Sequence, residues 1–187
     1  MARIPFPAPE DQSEEIRQTL AKYGGLNVTR MMSHQPGLMQ AYAKMGVQIL
    51  RYGTLDPVLR ERIILRVGQL CRCEYERHQH LSVARAIGMT PDQIAASERD
   101  DRAAMTEAER TALTIVDQIH GEGAASAQAI ADAERLFGPD QIVEICVVTG
   151  YYIMTAGYLR SLDVECEDTP PLGDRMAAGE QTVISRS

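Results

Sequence analysis

Residues 55–94 read LDPVLRERIILRVGQLCRCEYERHQHLSVARAIGMTPDQI, and this stretch decides the fold. The Asp-Pro pair near its start is typical of a helix N-terminus, because aspartate caps the first turn and proline fits its first position. We predict one helix from Pro57 to about Leu70 and a second from about Arg72 to Ile87. Apolar residues lie on two faces of the first helix, which predicts that it is mostly buried. Its expected contacts with solvent are Arg60, Arg62 and Arg66.

The helical pattern continues on both sides of this stretch, and the alternation that is typical of strands is missing. Further helices are predicted at 10–23, 38–52, 90–97, 106–120, 126–137 and 139–162, with a short turn of helix after Asn27. A chain of 187 residues, 44% of them hydrophobic, has the size and composition of one globular domain. We therefore predict a single all-α domain at 10–164, an extended arm at 1–9 and an irregular tail at 165–187.

The charge balance excludes one class of partner. The chain has 19 basic and 26 acidic side chains, a net charge of −7, whereas nucleic-acid binding depends on clustered cations. The longest uncharged stretch, from Ile145 to Leu159, is shorter than the ~20 residues of a membrane helix, and the proline-rich start is unlike a secretory signal. These features predict a cytoplasmic protein without nucleic-acid or membrane partners, whose four cysteines stay thiols.

The candidate catalytic residues lie in the same stretch. Cys73, Glu76 and His80 are separated by three and four positions, which places them on one stripe of the predicted helix. A thiol, a carboxylate and an imidazole on an inward face form a candidate acid–base site. Glu61, on the preceding helix, has apolar neighbours and no Lys or Arg three or four positions away, so we expect its pKa to be raised.

Each of the four residues also has a structural interpretation. Glu61 would pair with an arginine from elsewhere in the chain or interact favourably with the positive N-terminal end of its helix. Cys73 would be a small core residue, and Glu76 with His80 would form a hydrogen-bonded pair on the helix. No metal site is predicted, since Glu76 and His80 supply two ligands and neither an HxxxH nor a CxxC pair completes a set. Weaker candidates, for substrate binding, are Arg77, Tyr152 and His34.

The spacing of Glu61, Cys73 twelve residues later and His80 nineteen residues later resembles the alkylhydroperoxidase D and carboxymuconolactone decarboxylase superfamily. The resemblance covers roughly Asn27 to Val164. It implies an AhpD-like helical bundle that assembles as a homotrimer or homohexamer, with the site near a subunit interface. The peroxidase branch attacks peroxide with the second cysteine of a CxxC pair, where this chain has Glu76. The decarboxylase branch has a glutamate four residues before the histidine, as this chain does.

Two classes of enzyme follow from these residues and this resemblance. The first is a carboxymuconolactone decarboxylase-like, cofactor-independent acid–base enzyme, a lyase or isomerase, that acts on a small organic acid or lactone. In it, His80 is the main acid or base, Glu76 orients it and Glu61 shares the proton. The alternative is a single-cysteine thiol peroxidase or redox sensor that uses Cys73, although its motif has no resolving thiol. A non-catalytic binding protein on the same scaffold is the third interpretation.

The sequence also predicts self-association. The helices at 38–52 and 142–162 are apolar on more than one face, and one small domain has too little surface to cover them. Exposed apolar faces usually mark contacts, and closed symmetry then favours a homo-oligomer.

Overall fold

The computed structural model of the protein describes residues 2–180, which contain ten α-helices and no β-strand. The prediction of an all-α fold is therefore confirmed. The helices are α1 (Glu14–Lys22), α2 (Asn27–Met32), α3 (Pro36–Tyr52), α4 (Pro57–Leu70), α5 (Glu74–Ala86), α6 (Pro91–Arg99), α7 (Glu107–Glu122), α8 (Ala127–Glu134), α9 (Pro139–Leu162) and α10 (Leu172–Ala177).

The predicted ends of α4 and α9 are confirmed, because local residues specify them. Asp56 Oδ1 accepts hydrogen bonds from the backbone N–H groups of Val58 and Leu59, at 2.9 and 3.2 Å. Both helices begin with proline, at a position where no intrahelical donor is needed. At the start of α7, Thr106 and Glu109 form a reciprocal capping box, as their spacing indicates.

The junction between α4 and α5 differs from the prediction. Arg72 has a left-handed φ of 52°, and α5 begins at Glu74 instead of Arg72. The N–H of Cys73 donates to the carbonyl of Gly68 at 2.8 Å, which closes the last turn of α4. Cys73 therefore precedes α5, and the prediction of one helical stripe that begins at Cys73 is wrong at that first position.

Two other helices are shorter than predicted. Ser13 Oγ accepts a hydrogen bond from the N–H of Ile16 at 3.3 Å, so α1 begins at Glu14 and residues 9–11 form a separate 3₁₀ turn. Helix α8 ends at Glu134, three residues before the predicted end.

Helix α9 packs against α4 and α7 in the interior of the bundle. It is long and apolar enough to cross a membrane by length and composition alone. However, its side chains at Ile145, Val148, Ala156 and Leu159 are buried within the chain's own hydrophobic core. The apolar sequence of this face is accounted for by the core.

Two of the three arginines of α4 are not its contacts with solvent, which corrects that expectation for Arg60 and Arg62. Arg60 and Arg62 are only 4% and 1% exposed. Arg62 donates from Nε to Glu109 at 2.5 Å and from Nη1 to Ser97 Oγ at 2.7 Å. Arg66 pairs with Asp117 at 2.7 Å. Each guanidinium is held by polar partners from other helices or loops, because a buried charge without partners would be costly.

The N-terminal arm lies along the chain's own domain. The N–H of Arg3 donates to the carbonyl of Leu162 at 2.8 Å. The tail is not irregular throughout, because it contains α10, which packs against α5. The prediction of an irregular tail is therefore wrong for Leu172–Ala177, and residues 181–187 lie outside the described residues.

Candidate active site

A buried ion pair joins α4 to α5 at the centre of the candidate site. His80 Nδ1 lies 2.7 Å from Glu61 Oε2. The other oxygen of Glu61 accepts two hydrogen bonds from Arg60, from Nε at 3.2 Å and from Nη2 at 3.1 Å. Glu61 is fully buried, and Arg60 and His80 are 4% and 5% exposed. The carboxylate thus fixes the orientation of the imidazole and leaves Nε2 directed away from Glu61.

The expected roles of the two glutamates are corrected by this geometry. Glu61, not Glu76, holds the imidazole in place. The surroundings of Glu61 are not apolar, because the guanidinium of the neighbouring Arg60 pairs with its carboxylate. Glu76 Oε2 lies 3.6 Å from His80 Nε2, which is too long for a hydrogen bond. The Glu76 side chain is nevertheless buried at 5% exposure. Its carboxyl therefore faces the reactive nitrogen of His80 without being tied to it.

The environment raises the pKa of both titrating groups. Burial raises the pKa of Glu76 to about 7, although the charge of His80 opposes this effect. Burial lowers the pKa of His80, but the charge of Glu61, its hydrogen bond and the charge of Glu76 together raise that pKa above its ordinary value. The two groups interact closely, so they titrate as a pair. An imidazole and a carboxyl that face each other in one buried site are suited to general acid–base catalysis.

Glu76 and His80 line a small cavity of about 70 Å³ between α3, α5 and α9. The engineered cavity that holds benzene is larger, at ~150 Å³, but this cavity is partly open to solvent, so a small ligand can extend beyond its enclosed volume. Its walls are mainly apolar and aromatic, with Leu26, Val28, Leu50 and Leu172 beside the tyrosines Tyr23, Tyr42, Tyr75, Tyr151 and Tyr152.

Two of the tyrosines that line this cavity, Tyr152 and Tyr42, have rings packed against His80 and Tyr151. The ring of Tyr152 meets the His80 ring edge to face, with centroids 5.0 Å apart, and its hydroxyl has no hydrogen-bond partner among the described residues. Tyr42 stacks on Tyr151 at 4.9 Å, and its oxygen lies 3.4 Å from Thr155 Oγ1. Burial raises the pKa of Tyr42 and of Tyr152, so both hydroxyls keep their protons and remain donors.

The sequence analysis proposed Tyr152 for this cavity and missed Tyr42. Tyr42 lies on α3, about 110 residues before the α9 tyrosines, so no local pattern connects them. The signal that would have found it is its aromatic ring on the apolar face of a predicted helix.

Cys73 does not share the cavity of His80. It is 1% exposed and lines a separate cavity with Arg72 and Arg160. Burial raises the pKa of its thiol to about 11. A thiolate is the nucleophilic form of cysteine, so this environment keeps Cys73 in its unreactive form.

The other two sequence candidates also lie elsewhere. Arg77 pairs with Glu74 at 2.9 Å and is not among the residues that line the cavity. His34 Nε2 lies 2.8 Å from the carbonyl oxygen of Pro5, where it holds the N-terminal arm. Between residues 2 and 180, no group of three or more His, Cys, Asp or Glu side chains is arranged to hold a metal ion.

The C-terminal segment closes one side of the cavity, which the sequence analysis did not predict. Glu167 accepts hydrogen bonds from the Tyr75 hydroxyl and from Gln79 Nε2, the latter at 2.6 Å. The N–H of Leu172 donates to Gln79 Oε1 at 3.0 Å, and the Leu172 side chain lines the cavity. We call residues 165–177 the strap, because they cross α5 and are held by its side chains.

Comparison with known proteins agrees with this architecture. Residues 36–118 match the model of the carboxymuconolactone decarboxylase family. No curated protein matches the sequence. Residues 36–118 contain α3 to α6 and most of α7, and therefore Arg60, Glu61, Glu76 and His80.

Three solved structures share the fold. An alkylhydroperoxidase AhpD core, a peroxidase-related protein from Ralstonia eutropha JMP134, is 16% identical with a TM-score of 0.78, over 100% of this chain and 98% of that one. A peroxidase-related protein from Silicibacter sp. TM1040 is 18% identical with a TM-score of 0.75, over 89% and 92%. The apo debrominase Bmp8 is 15% identical with a TM-score of 0.71, over 87% and 91%. The chain therefore has an AhpD-like fold, and its residues 36–118 match the carboxymuconolactone decarboxylase family.

Proposed function

We propose that the protein is an acid–base enzyme, a lyase or isomerase, that acts on a small organic acid or lactone in the cavity of His80. The observation that carries this proposal is the ion pair between Glu61 and His80, at 2.7 Å, beside the buried carboxyl of Glu76. One residue orients the imidazole, and a second titrating group faces its free nitrogen across a small apolar cavity.

The proposed step transfers only protons, and no electrons pass to an outside acceptor. The unprotonated member of the His80–Glu76 pair removes a proton from a carbon next to a carbonyl, and the C–H electron pair enters an enolate. The protonated member returns a proton at another carbon of the conjugated system, which shifts the double bond. In a decarboxylation, carbon dioxide leaves instead, its bonding pair stays on carbon and the same acid protonates that carbon. Neither version needs a cofactor.

The enolate requires hydrogen-bond donors, and the cavity supplies them from tyrosines. The sequence analysis assigned substrate binding to Arg77, which lies outside the cavity. Tyr42 and Tyr152 line the cavity and their hydroxyls keep their protons, so these hydroxyls take this role in the proposal. Donors that are already in place at a developing negative charge lower the barrier most effectively.

The test is hydrogen exchange at carbon. 2(5H)-furanone and α-angelica lactone are incubated with the protein in D₂O, and deuterium incorporation is followed by NMR. Wild type should exchange faster than buffer, and His80→Gln should lose about 10²-fold or more of the excess rate. Arg77→Gln is the matched control, since it removes a charge from the same helix outside the cavity. Full exchange by His80→Gln would overturn the proposal.

The thiol peroxidase or redox sensor stays the alternative. Two structural neighbours are peroxidase-related by their descriptions, but at 16% and 18% identity they show only the fold. The buried thiol of Cys73 and its pKa of about 11 weigh against it. Trapping of a sulfenic acid at Cys73 after mild peroxide would favour this alternative over the acid–base enzyme.

We also propose that the protein works as a homotrimer or homohexamer in the cytoplasm. Exposed apolar side chains support self-association: they lie on α3 at Leu38, Met45 and Tyr52, and on α9 at Val143, Val147 and Met154. Large apolar side chains left exposed on neighbouring helices are typical of contact sites between subunits.

A further inference from the structure

We propose that the cavity selects small, planar, uncharged molecules, and that it admits a carboxylic acid only together with a proton. This inference rests on the proposed function, because it takes the cavity of His80 as the substrate site. The proposed function allows either an organic acid or a lactone, and this inference restricts the ligand to the uncharged molecule. It also favours isomerisation over decarboxylation, which begins from a carboxylate.

The first support is the composition of the cavity wall. Of the described residues that line it, none is lysine or arginine. The guanidinium beside the Glu61–His80 pair, on Arg60, is already bound to both Glu61 and the carbonyl of Leu50. A carboxylate that left water for this cavity would therefore meet no free guanidinium or ammonium to compensate it.

The second support is the set of charges around Glu76. The imidazole of His80 is the positive group that reaches the cavity, and it lies between the carboxyls of Glu61 and Glu76. An anion bound at His80 Nε2 would lie close to Glu76, because that nitrogen is 3.6 Å from Glu76 Oε2. Two carboxylates beside the same imidazole nitrogen in a buried site do not both stay ionised, and one of them takes up a proton.

The other elements packed around Glu76 bring no unpaired positive charge that would compensate a bound anion. They contribute neutral tyrosine hydroxyls from α3, α5 and α9, the paired Arg60 and Glu61 from α4, and the carboxylate of the strap. These groups are Tyr42, Tyr75, Tyr151, Tyr152, Arg60, Glu61, His80 and Glu167. The strap adds a further negative charge, because Glu167 accepts from Tyr75 and Gln79 near the cavity.

The aromatic walls favour a planar ligand. Tyr42 and Tyr151 stack with an interplanar angle of 15°, and Tyr152 stands edge-on to His80 at 89°. Flat ligands use such ring faces and edges well. The hydroxyls of Tyr42 and Tyr152 would donate to a carbonyl oxygen, so a lactone, ester or amide carbonyl satisfies them without bringing a charge.

The experiment compares two ligands of the same shape. Furan-2-carboxamide is neutral and furan-2-carboxylate is charged, and the Kd of each is measured by ligand-observed NMR with the full chain at pH 6 and pH 8. The Kd of the amide should change less than twofold between these pH values. Above pH 7 the Kd of the carboxylate should rise by up to about tenfold per pH unit, as binding linked to one proton requires.

A variant tests whether Glu76 is the linked group. Glu76→Gln removes its charge at nearly constant shape, so at pH 8 it should bind the carboxylate at least about tenfold more tightly than wild type does. Glu74→Gln, an exposed glutamate on the same helix, is the matched control and should change neither Kd. Thermal unfolding of each variant confirms that it is folded.

Three outcomes would overturn the inference. They are equal binding of the two ligands at pH 8, a carboxylate Kd that Glu76→Gln leaves unchanged, and no binding of the amide. Because these are binding measurements, they are separate from hydrogen exchange at carbon. Tight amide binding together with unchanged exchange by His80→Gln would reject the proposed reaction and leave the selectivity intact.

Discussion

His80 Nδ1 and Glu61 Oε2 lie 2.7 Å apart across the packed faces of α4 and α5, with both side chains buried. This contact holds the imidazole by Nδ1 and leaves its other nitrogen, Nε2, facing Glu76. A carboxylate that holds one nitrogen of a histidine makes the other nitrogen available for proton transfer. The predictions below test this arrangement and the elements that support it.

Glu61→Gln should lower the pKa of His80, because it removes the neighbouring charge that raises it. It should also leave the buried guanidinium of Arg60 without a counter-charge, at a cost of about 3 kcal/mol in the free energy of unfolding. NMR titration of the imidazole and urea denaturation measure the two effects. Glu74→Gln alters an exposed pair, so it should change the free energy of unfolding by no more than about 0.5 kcal/mol and the pKa of His80 by a correspondingly small amount. An unchanged His80 pKa in Glu61→Gln would contradict the proposed orienting role.

Glu76 should make the folded protein less stable as the pH rises. Its pKa is about 7 in the folded chain and about 4.5 when exposed, so the folded state binds the proton more tightly. The cost of ionising it is absent below pH 4.5 and complete above pH 7, where it reaches a few kcal/mol. Glu76→Gln should therefore be more stable than wild type at pH 8 and equally stable at pH 4.5. Urea denaturation at both pH values decides this, and a constant difference would refute it.

Cys73 should react slowly with thiol reagents in the folded protein. With a pKa of about 11, roughly one thiol in 10³ is ionised at pH 8, and the side chain is 1% exposed. Mass spectrometry after brief iodoacetamide treatment should show labelling at the three partly exposed cysteines first, namely Cys71, Cys146 and Cys166. In urea all four should be labelled at similar rates. Preferential labelling of Cys73 in the native protein would revive the thiol peroxidase.

Gly173→Ala should detach the strap from α5. A Cβ at this position would lie 2.1 Å from the backbone carbon and oxygen of Ser82, and backbone cannot move aside cheaply. The N–H of Gly173 would then lose its 3.0 Å hydrogen bond to Ser82 Oγ. Limited proteolysis should cut the tail of the variant faster than that of wild type. Gly121→Ala is the control, because nothing lies within 4 Å of its added Cβ, and it should leave the rate unchanged.

The exposed apolar side chains of α3 and α9 should hold copies of the chain together. Light scattering on wild type should give three or six times 20.7 kDa. Val143→Glu with Val147→Glu places two charges on side chains that are 62% and 40% exposed, and it should shift the mass toward that of a monomer. The same substitutions should leave the free energy of unfolding of the monomer nearly unchanged. A monomeric wild type would contradict the prediction.

The sequence by itself determined the all-α class and the ends of several helices. Pro57, Pro139 and the capping pair of Thr106 and Glu109 act within one turn, so their effects are visible in a short window. The sequence also placed Glu61, Glu76 and His80 in one segment, although not their roles. Its stripe failed at Cys73, because the left-handed Arg72 breaks the period on which the stripe depends.

Only the tertiary structure decided which of these residues meet. The side chain nearest to His80 Nδ1 comes from α4, nineteen residues away, and the adjacent Arg60 supplies the counter-charge that a search at three and four positions cannot see. Tyr42, Tyr152 and Leu172 reach the same cavity from α3, α9 and the strap. Such contacts depend on how helices pack, and sequence periodicity records only which face of a helix is apolar. Packing is therefore what separates the cavity of His80 from the buried thiol of Cys73.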